Sequence, residues 1–237
     1  MLDPQITTVL FDLDGTLLPM ELEKFTNTYF GLLAKKAAPF GFQPEPLVAA
    51  VWKGTKAMVK NDGTETNDKR FWDTFAGEMG EEVLQLRPVF DGFYANEFHG
   101  AKAACGENPL ARRAIDGLKD KGYDVILATN PIFPLVGVET RLSWVGLRPE
   151  DFSYITAYEN STTCKPNPAY YAEILRKTGK RPQECLMVGN DATEDTAALE
   201  QGIGVYLVTD CLLNPKGRDI SGVPQGTFAA FLEFAGV

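Results

Sequence analysis

Residues 6–18 read Ile6-Thr7-Thr8-Val9-Leu10-Phe11-Asp12-Leu13-Asp14-Gly15-Thr16-Leu17-Leu18. Val9, Leu10 and Phe11 form a short apolar run with β-branched neighbours, the composition of a buried strand. The run ends in two carboxylates one residue apart, and Gly15 and Thr16 then break it. An apolar strand, an acidic pair at its carboxyl end and a glycine turn mark the place where open α/β sheets bind ligands. In extended backbone Asp12 and Asp14 project the same way, because side chains alternate with period two. Two like charges on one side require a cation, a shared proton or open solvent.

Working outward, residues 20–104 contain no strand pattern but repeat apolar residues at helical spacing. Leu22, Phe25, Tyr29, Leu32 and Leu33 predict a helix ending near Pro39 and Gly41. Leu47 to Met58 predict a second helix, Phe71 to Phe75 a third, and Val83 to Phe98 a fourth interrupted around Pro88. Beyond this block strands and helices alternate. The strand segments are Tyr123–Ala128, Tyr154–Ala157, Cys185–Val188 and Val205–Val208. The helical segments are Ala111–Lys121, Phe133–Trp144, Pro168–Lys177 and Thr193–Gln201, three of them followed by Gly122, Gly179 or Gly202. Such alternation implies a parallel sheet with helices on both faces, and the first strand must join it. The expected fold is therefore α/β, a Rossmann-like core with an inserted all-helical domain. The core spans 1–18 and 105–237, and the insertion 19–104.

The chain of 237 residues is 44% hydrophobic and 23% charged, ordinary globular composition with room for a substantial core. Its formal net charge of -9 argues against nucleic acid or an anionic membrane as partner. A small phosphorylated substrate stays compatible, since a metal ion and one or two lysines set the local field. The four cysteines (Cys105, Cys164, Cys185 and Cys211) are widely spaced, and His99 is the one histidine, so a Cys/His zinc site has little material. With no signal-peptide pattern and no long apolar run, a cytoplasmic protein, monomer or homodimer, is expected.

Four segments fall at strand ends or in the loops beyond them: Asp12-Leu13-Asp14-Gly15-Thr16, Ala128-Thr129-Asn130, Cys164-Lys165-Pro166, and Gly189-Asn190-Asp191-Ala192-Thr193-Glu194-Asp195. In this order they resemble the four motifs of the haloacid dehalogenase superfamily of phosphohydrolases. The helical block then lies where that family carries a helical cap. The resemblance implies Asp12 as nucleophile, Asp14 as acid and base, and Lys165 as the cation offsetting nucleophile and phosphate. It implies Thr129 and the Asn130 amide as the holders of the phosphoryl oxygens. It also implies Mg²⁺ bound by the Asp12 carboxylate, the Asp14 carbonyl and an acid of the fourth segment, with Thr16 in support. The family commonly has Asp directly after the glycine, where this chain has Asn190. Asp191 is therefore the expected ligand, with Asn190 and Asp195 open as alternatives. Taken singly, Asp191 also reads as a helix N-cap with Glu194 in a capping box.

The chemistry needs these residue types without the name. A strand-end carboxylate can attack phosphorus and form an aspartyl-phosphate, and a second acid two residues on can protonate the leaving oxygen. Hard oxygen ligands suit Mg²⁺. Asp14 also separates the family's chemistries, since its dehalogenases and phosphonate-cleaving members lack an acid there. An Mg²⁺-dependent phosphatase acting on a small phosphorylated metabolite is expected. The alternatives are a phosphomutase or a non-catalytic ligand-binding protein of the same fold. Lys53, Lys56 and Lys60 can share a cap-helix face that meets an anionic substrate or is simply solvated. His99 matches no motif. Residues 15–20 and roughly 100–108, with Gly15, Gly100 and Gly106, are the expected hinges of the cap.

Overall fold

The computed structural model describes residues 2–237. Thr8–Phe11 forms β1, buried along its whole length. It lies at the centre of a six-stranded parallel sheet of order β3-β2-β1-β4-β5-β6. The other strands are β2 (Asp124–Leu127), β3 (Tyr154–Ile155), β4 (Cys185–Gly189), β5 (Gly204–Val208) and β6 (Gln225–Gly226).

The period of two sorts each strand between two cores. Val9 and Phe11 of β1, Val125 and Leu127 of β2, and Leu186 and Val188 of β4 enter one cluster. Leu10, Ile126, Cys185 and Met187 enter the other. Helices α5 (Leu110–Asp120), α6 (Leu135–Trp144) and α8 (Phe228–Ala235) cover the first face. Helix α7 (Pro168–Thr178) and a short 3₁₀ segment (Thr196–Gln201) cover the second. Both faces of the sheet are thus apolar, which is why these strands read as continuous hydrophobic runs.

Helices α1 (Leu22–Ala37), α2 (Pro44–Val59), α3 (Asn67–Met79) and α4 (Arg87–Ala95) occupy the stretch between β1 and α5. Pro88 sits in the first turn of α4, where its missing N–H costs nothing. The break in the expected fourth helix therefore falls just before the proline, and 3₁₀ segments (81–86 and 97–104) flank α4. The segment expected as a helix over 193–201 is turn followed by 3₁₀. The two connections to the core run side by side: Met20 pairs antiparallel with Cys105, and Gly106 N donates to Pro19 O at 2.7 Å. Gly15 and Gly100 lie in packed surroundings, against Asn190 and Leu32 respectively.

The residues after Asp210 complete the sheet with β6 and add α8, whose Phe231 meets Phe11 edge-on at 5.6 Å between ring centroids. They also brace the fourth segment. Leu213 N donates to Asn190 O, Ala192 N donates to Leu213 O, and Asn190 Nδ2 donates to Cys211 O, all at 2.8 Å. No helix among the described residues is long and apolar enough to cross a membrane.

Candidate active site

Since β1 lies between β2 and β4, the loops after all three strands open on one edge of the sheet. Asp12 follows β1 directly, Thr129 and Asn130 follow β2, and Asn190 and Asp191 follow β4. Lys165, from the loop before α7, completes the group. Its ammonium is fully buried and donates to Asp12 Oδ1 at 2.9 Å and to Asp195 Oδ1 at 2.8 Å. Burial alone would lower the Lys165 pKa, but the two carboxylates outweigh it and hold it well above the ordinary lysine value. Burial pushes the Asp12 carboxyl up to about 7; Lys165 pulls it down, and Asp195 and Asp14 add to the rise. Lys165 is the one direct cationic partner of Asp12 among the described residues, and it is shared with Asp195.

The other Asp12 oxygen, Oδ2, has only a long contact of 3.4 Å from Thr16 Oγ1, which also donates to Asn190 Oδ1 at 3.0 Å. Gly15 makes this packing possible. Its φ is +89°, and a Cβ there would stand 2.3 Å from Asn190 Nδ2. Gly189 is equally constrained, since a Cβ would meet Asp195 Oδ2 at 2.1 Å.

Asp14 brings in a residue that sequence reading missed. Arg141, on α6, is fully buried and donates from Nη1 to Asp14 Oδ2. Its guanidinium lies 4.2 Å from the centroid of the Phe133 ring, and Nε donates to Gly137 O at 3.2 Å. Asp14 Oδ1 and Arg141 Nη2 are buried without hydrogen-bond partners among the described residues. The available signal was a single arginine among Val138, Leu142 and Trp144 on an otherwise apolar helix face.

In the fourth segment Asp195 is fully committed: Oδ1 to Lys165, and Oδ2 to Asp191 N at 2.8 Å. Asn190 is committed at both ends, to Thr16 and Cys211. Asp191 Oδ1 accepts from the amides of Thr193 at 2.6 Å and Glu194 at 2.9 Å, so it caps the turn that follows. Its Oδ2 has no partner among the described residues. Glu194 does not close a capping box; its carboxylate accepts from Asn130 Nδ2 at 3.0 Å, and burial pushes its pKa up to about 8. Thr129 is buried, with its carbonyl held by Thr156 Oγ1 at 2.7 Å and Tyr170 OH at 2.9 Å.

No three His, Cys, Asp or Glu side chains among the described residues form a cluster that could hold a metal. The set implied for Mg²⁺ needs only two carboxylates and one carbonyl, however. Asp12 Oδ2 with its single long contact, the free Asp191 Oδ2 and an all-oxygen donor set fit a hard divalent cation.

Opposite these loops the inserted helices enclose a cavity of about 170 Å³ with Asp14 on its wall. Trp52 and Thr55 of α2 line it, whereas Lys53, Lys56 and Lys60 do not, and Lys53 pairs with Glu78 on the surface. Asn67, fully buried at the start of α3, fastens this block to the core. Its Nδ2 lies 3.2 Å from Pro131 O and 3.3 Å from Thr163 O, and its Oδ1 accepts from Asn61 Nδ2 at 2.9 Å. His99 is exposed and accepts from Trp144 Nε1 at 3.1 Å.

The family of haloacid dehalogenase-like hydrolases matches residues 6–202. Among curated proteins, the chain is 26% identical over 208 residues to a glyceraldehyde 3-phosphate phosphatase of Methanothermobacter thermautotrophicus, covering 86% of this chain and 85% of that one. It is 25% identical over 208 residues to a phosphoglycolate phosphatase of Shigella dysenteriae, covering 83% and 79%. It is 23% identical over 202 residues to the pyrophosphatase PpaX of Bacillus velezensis, covering 85% and 82%. Among solved structures, a 2-haloacid dehalogenase of Pseudomonas syringae superposes with a TM-score of 0.60 at 18% identity, over 98% of both chains. A predicted phosphoglycolate phosphatase of Haemophilus somnus gives 0.59 at 20% identity, also over 98% of both. At these identities the superpositions establish the fold alone.

Proposed function

Because this chain belongs to the haloacid dehalogenase-like hydrolase family, we propose that it hydrolyses a small phosphoric monoester through a phosphorylated Asp12. The observation that carries this reading is the pair of acids with separate partners. Asp12 is held by buried Lys165, and Asp14 is held by buried Arg141 with one oxygen left over. The phosphatase names of the curated relatives agree with it.

Asp12 Oδ2, the oxygen not bound by Lys165, attacks phosphorus as the ester P–O bond breaks. Asp14 Oδ1 gives its proton to the departing alkoxide, so the product leaves as an alcohol. Asp14 then takes a proton from water, whose oxygen attacks phosphorus, releasing inorganic phosphate and restoring the Asp12 carboxylate. Lys165 offsets charge on Asp12 throughout, while Thr129 and the Asn130 N–H hold phosphoryl oxygens. The Asp12 carboxylate, the Asp14 carbonyl and Asp191 would hold Mg²⁺, which would supply positive charge beside the phosphoryl group. Residues 19–104 act as a cap over a core of 1–18 and 105–237. Their closure excludes water from the reacting atoms.

Asp14 favours this chemistry over dehalogenation, since a departing halide needs no proton. The test is p-nitrophenyl phosphate hydrolysis with and without Mg²⁺, for wild type and Asp12→Asn. Mg²⁺-dependent turnover that disappears in the variant is expected. Equal turnover by Asp12→Asn overturns the assignment.

A further inference from the structure

Given that phosphatase reading, on which this inference rests, we infer that the alcohol leaving Asp14 is neutral and apolar, about the size of one aromatic ring. Eleven of the twenty-one residues lining the cavity are Phe, Tyr or Trp, among them Phe25, Tyr29, Trp52, Phe71 and Phe133. None is Lys, Arg or His, so nothing on the wall would meet a second phosphate or a carboxylate on the leaving group.

Most of the polar side chains of the wall already have partners among the described residues, Thr26, Asp91 and Asp14 Oδ1 being the exceptions. Tyr29 OH and Tyr94 OH pair at 2.9 Å, and Trp72 Nε1 donates to Tyr158 OH at 3.3 Å. Thr55 Oγ1 returns to its own helix at Val51 O. A leaving group with several hydroxyls or a charge would therefore lose most of its hydration there with little replacement, which is costly for buried polar groups. The lining has two acidic residues, Asp14 and Asp91. Arg141 bonds Asp14, whereas Arg87 pairs with Asp68 and Asp91 stays exposed to solvent at the rim. Inside that rim no carboxylate free of a cation faces the aromatic wall, so a quaternary ammonium would lose its hydration there without a counter-charge, and the wall favours a neutral group over a choline-like one. An apolar cavity of about 150 Å³ accepts benzene; at about 170 Å³ this one accepts a ring of that size beside the ester oxygen.

The test compares kcat/KM for benzyl phosphate, 2-phosphoglycolate, pyrophosphate and phosphocholine, with p-nitrophenyl phosphate as a general reporter of phosphatase activity. Benzyl phosphate has an alkyl leaving oxygen, as do phosphoglycolate and phosphocholine, so intrinsic leaving-group reactivity does not dominate. A preference of at least about 100-fold for benzyl phosphate is expected, the scale of discrimination an apolar pocket delivers. Thr55→Lys, which puts an ammonium on the wall, should narrow that preference at least about tenfold, while Thr55→Val should keep it. Turnover of phosphoglycolate, pyrophosphate or phosphocholine equal to that of benzyl phosphate overturns the inference and leaves the phosphatase reading standing. Failure to hydrolyse any ester, p-nitrophenyl phosphate included, overturns the phosphatase reading and this inference with it.

Discussion

Replacing Lys165 by Met removes the single cation between two buried carboxylates. The side chains of Lys165, Asp12 and Asp195 are 0%, 11% and 1% exposed, so water cannot take over for the ammonium. Breaking a buried pair by deleting one partner costs about 3–5 kcal/mol, because the other charge stays buried. In a domain of this size each kcal/mol shifts Tm by roughly 2–4 °C, so a loss of about 6–20 °C is expected near neutral pH. The deficit has a defined pH dependence. Lys165 is the partner that lowers the Asp12 pKa, so without it Asp12 titrates still higher in the folded state. A carboxyl whose folded pKa lies above its unfolded value of 3.8 destabilises the fold increasingly as pH rises between the two. Thermal unfolding of Lys165→Met and wild type at about pH 5 and pH 8 should therefore show the larger gap at the higher pH. A loss below about 1 kcal/mol, the scale of an exposed pair, would refute the reasoning. So would a gap that widens on acidification.

Three further perturbations address other parts of the structure. Gly15→Ala forces a side chain into left-handed backbone and onto Asn190; Tm should fall and Asp12-dependent turnover drop at least tenfold, and wild-type kinetics would contradict the packing described. Asn67→Ala strips the buried amide that ties α3 to the 131 and 163 carbonyls. A cost of about 1–3 kcal/mol is expected, with faster amide hydrogen exchange over 61–70 and no change at β1. Burial raises the Glu173 pKa, but Lys177 and Thr162 outweigh it and hold it below 4.5. Its contribution is therefore present above that pH and lost on acidification. Glu173→Gln should be about 1 kcal/mol less stable at neutral pH, with the gap narrowing on acidification below 4.5, as read by urea unfolding.

The parts legible in the sequence are those set by short-range periodicity. Period two in β1 placed Asp12 and Asp14 at a strand end, and Gly179 stops α7 in the left-handed conformation that only glycine adopts cheaply. Arg141 was hidden because an arginine in a helix reads as surface, and only tertiary packing brings it across to Asp14. Asn67 was hidden for the same reason, its acceptors lying 64 and 96 residues away. The short helix expected after Asp191 became turn and 3₁₀, because Asp191 and Asp195 bond each other's neighbourhood instead of continuing an α-helical ladder. The segment after Asp210 carries no motif. Its role as sixth strand and as brace for Asn190 arises from main-chain bonds that any residue type can make.

The central claim is that Asp12 carries the phosphoryl group. Acid-quenched single turnover with p-nitrophenyl phosphate and Mg²⁺, followed by peptide mass mapping, tests it most directly. One phosphoryl group on the peptide containing Asp12, seen in wild type and absent from Asp12→Asn, is the predicted result. A phosphoryl group on another residue, or turnover that survives in Asp12→Asn, would contradict it.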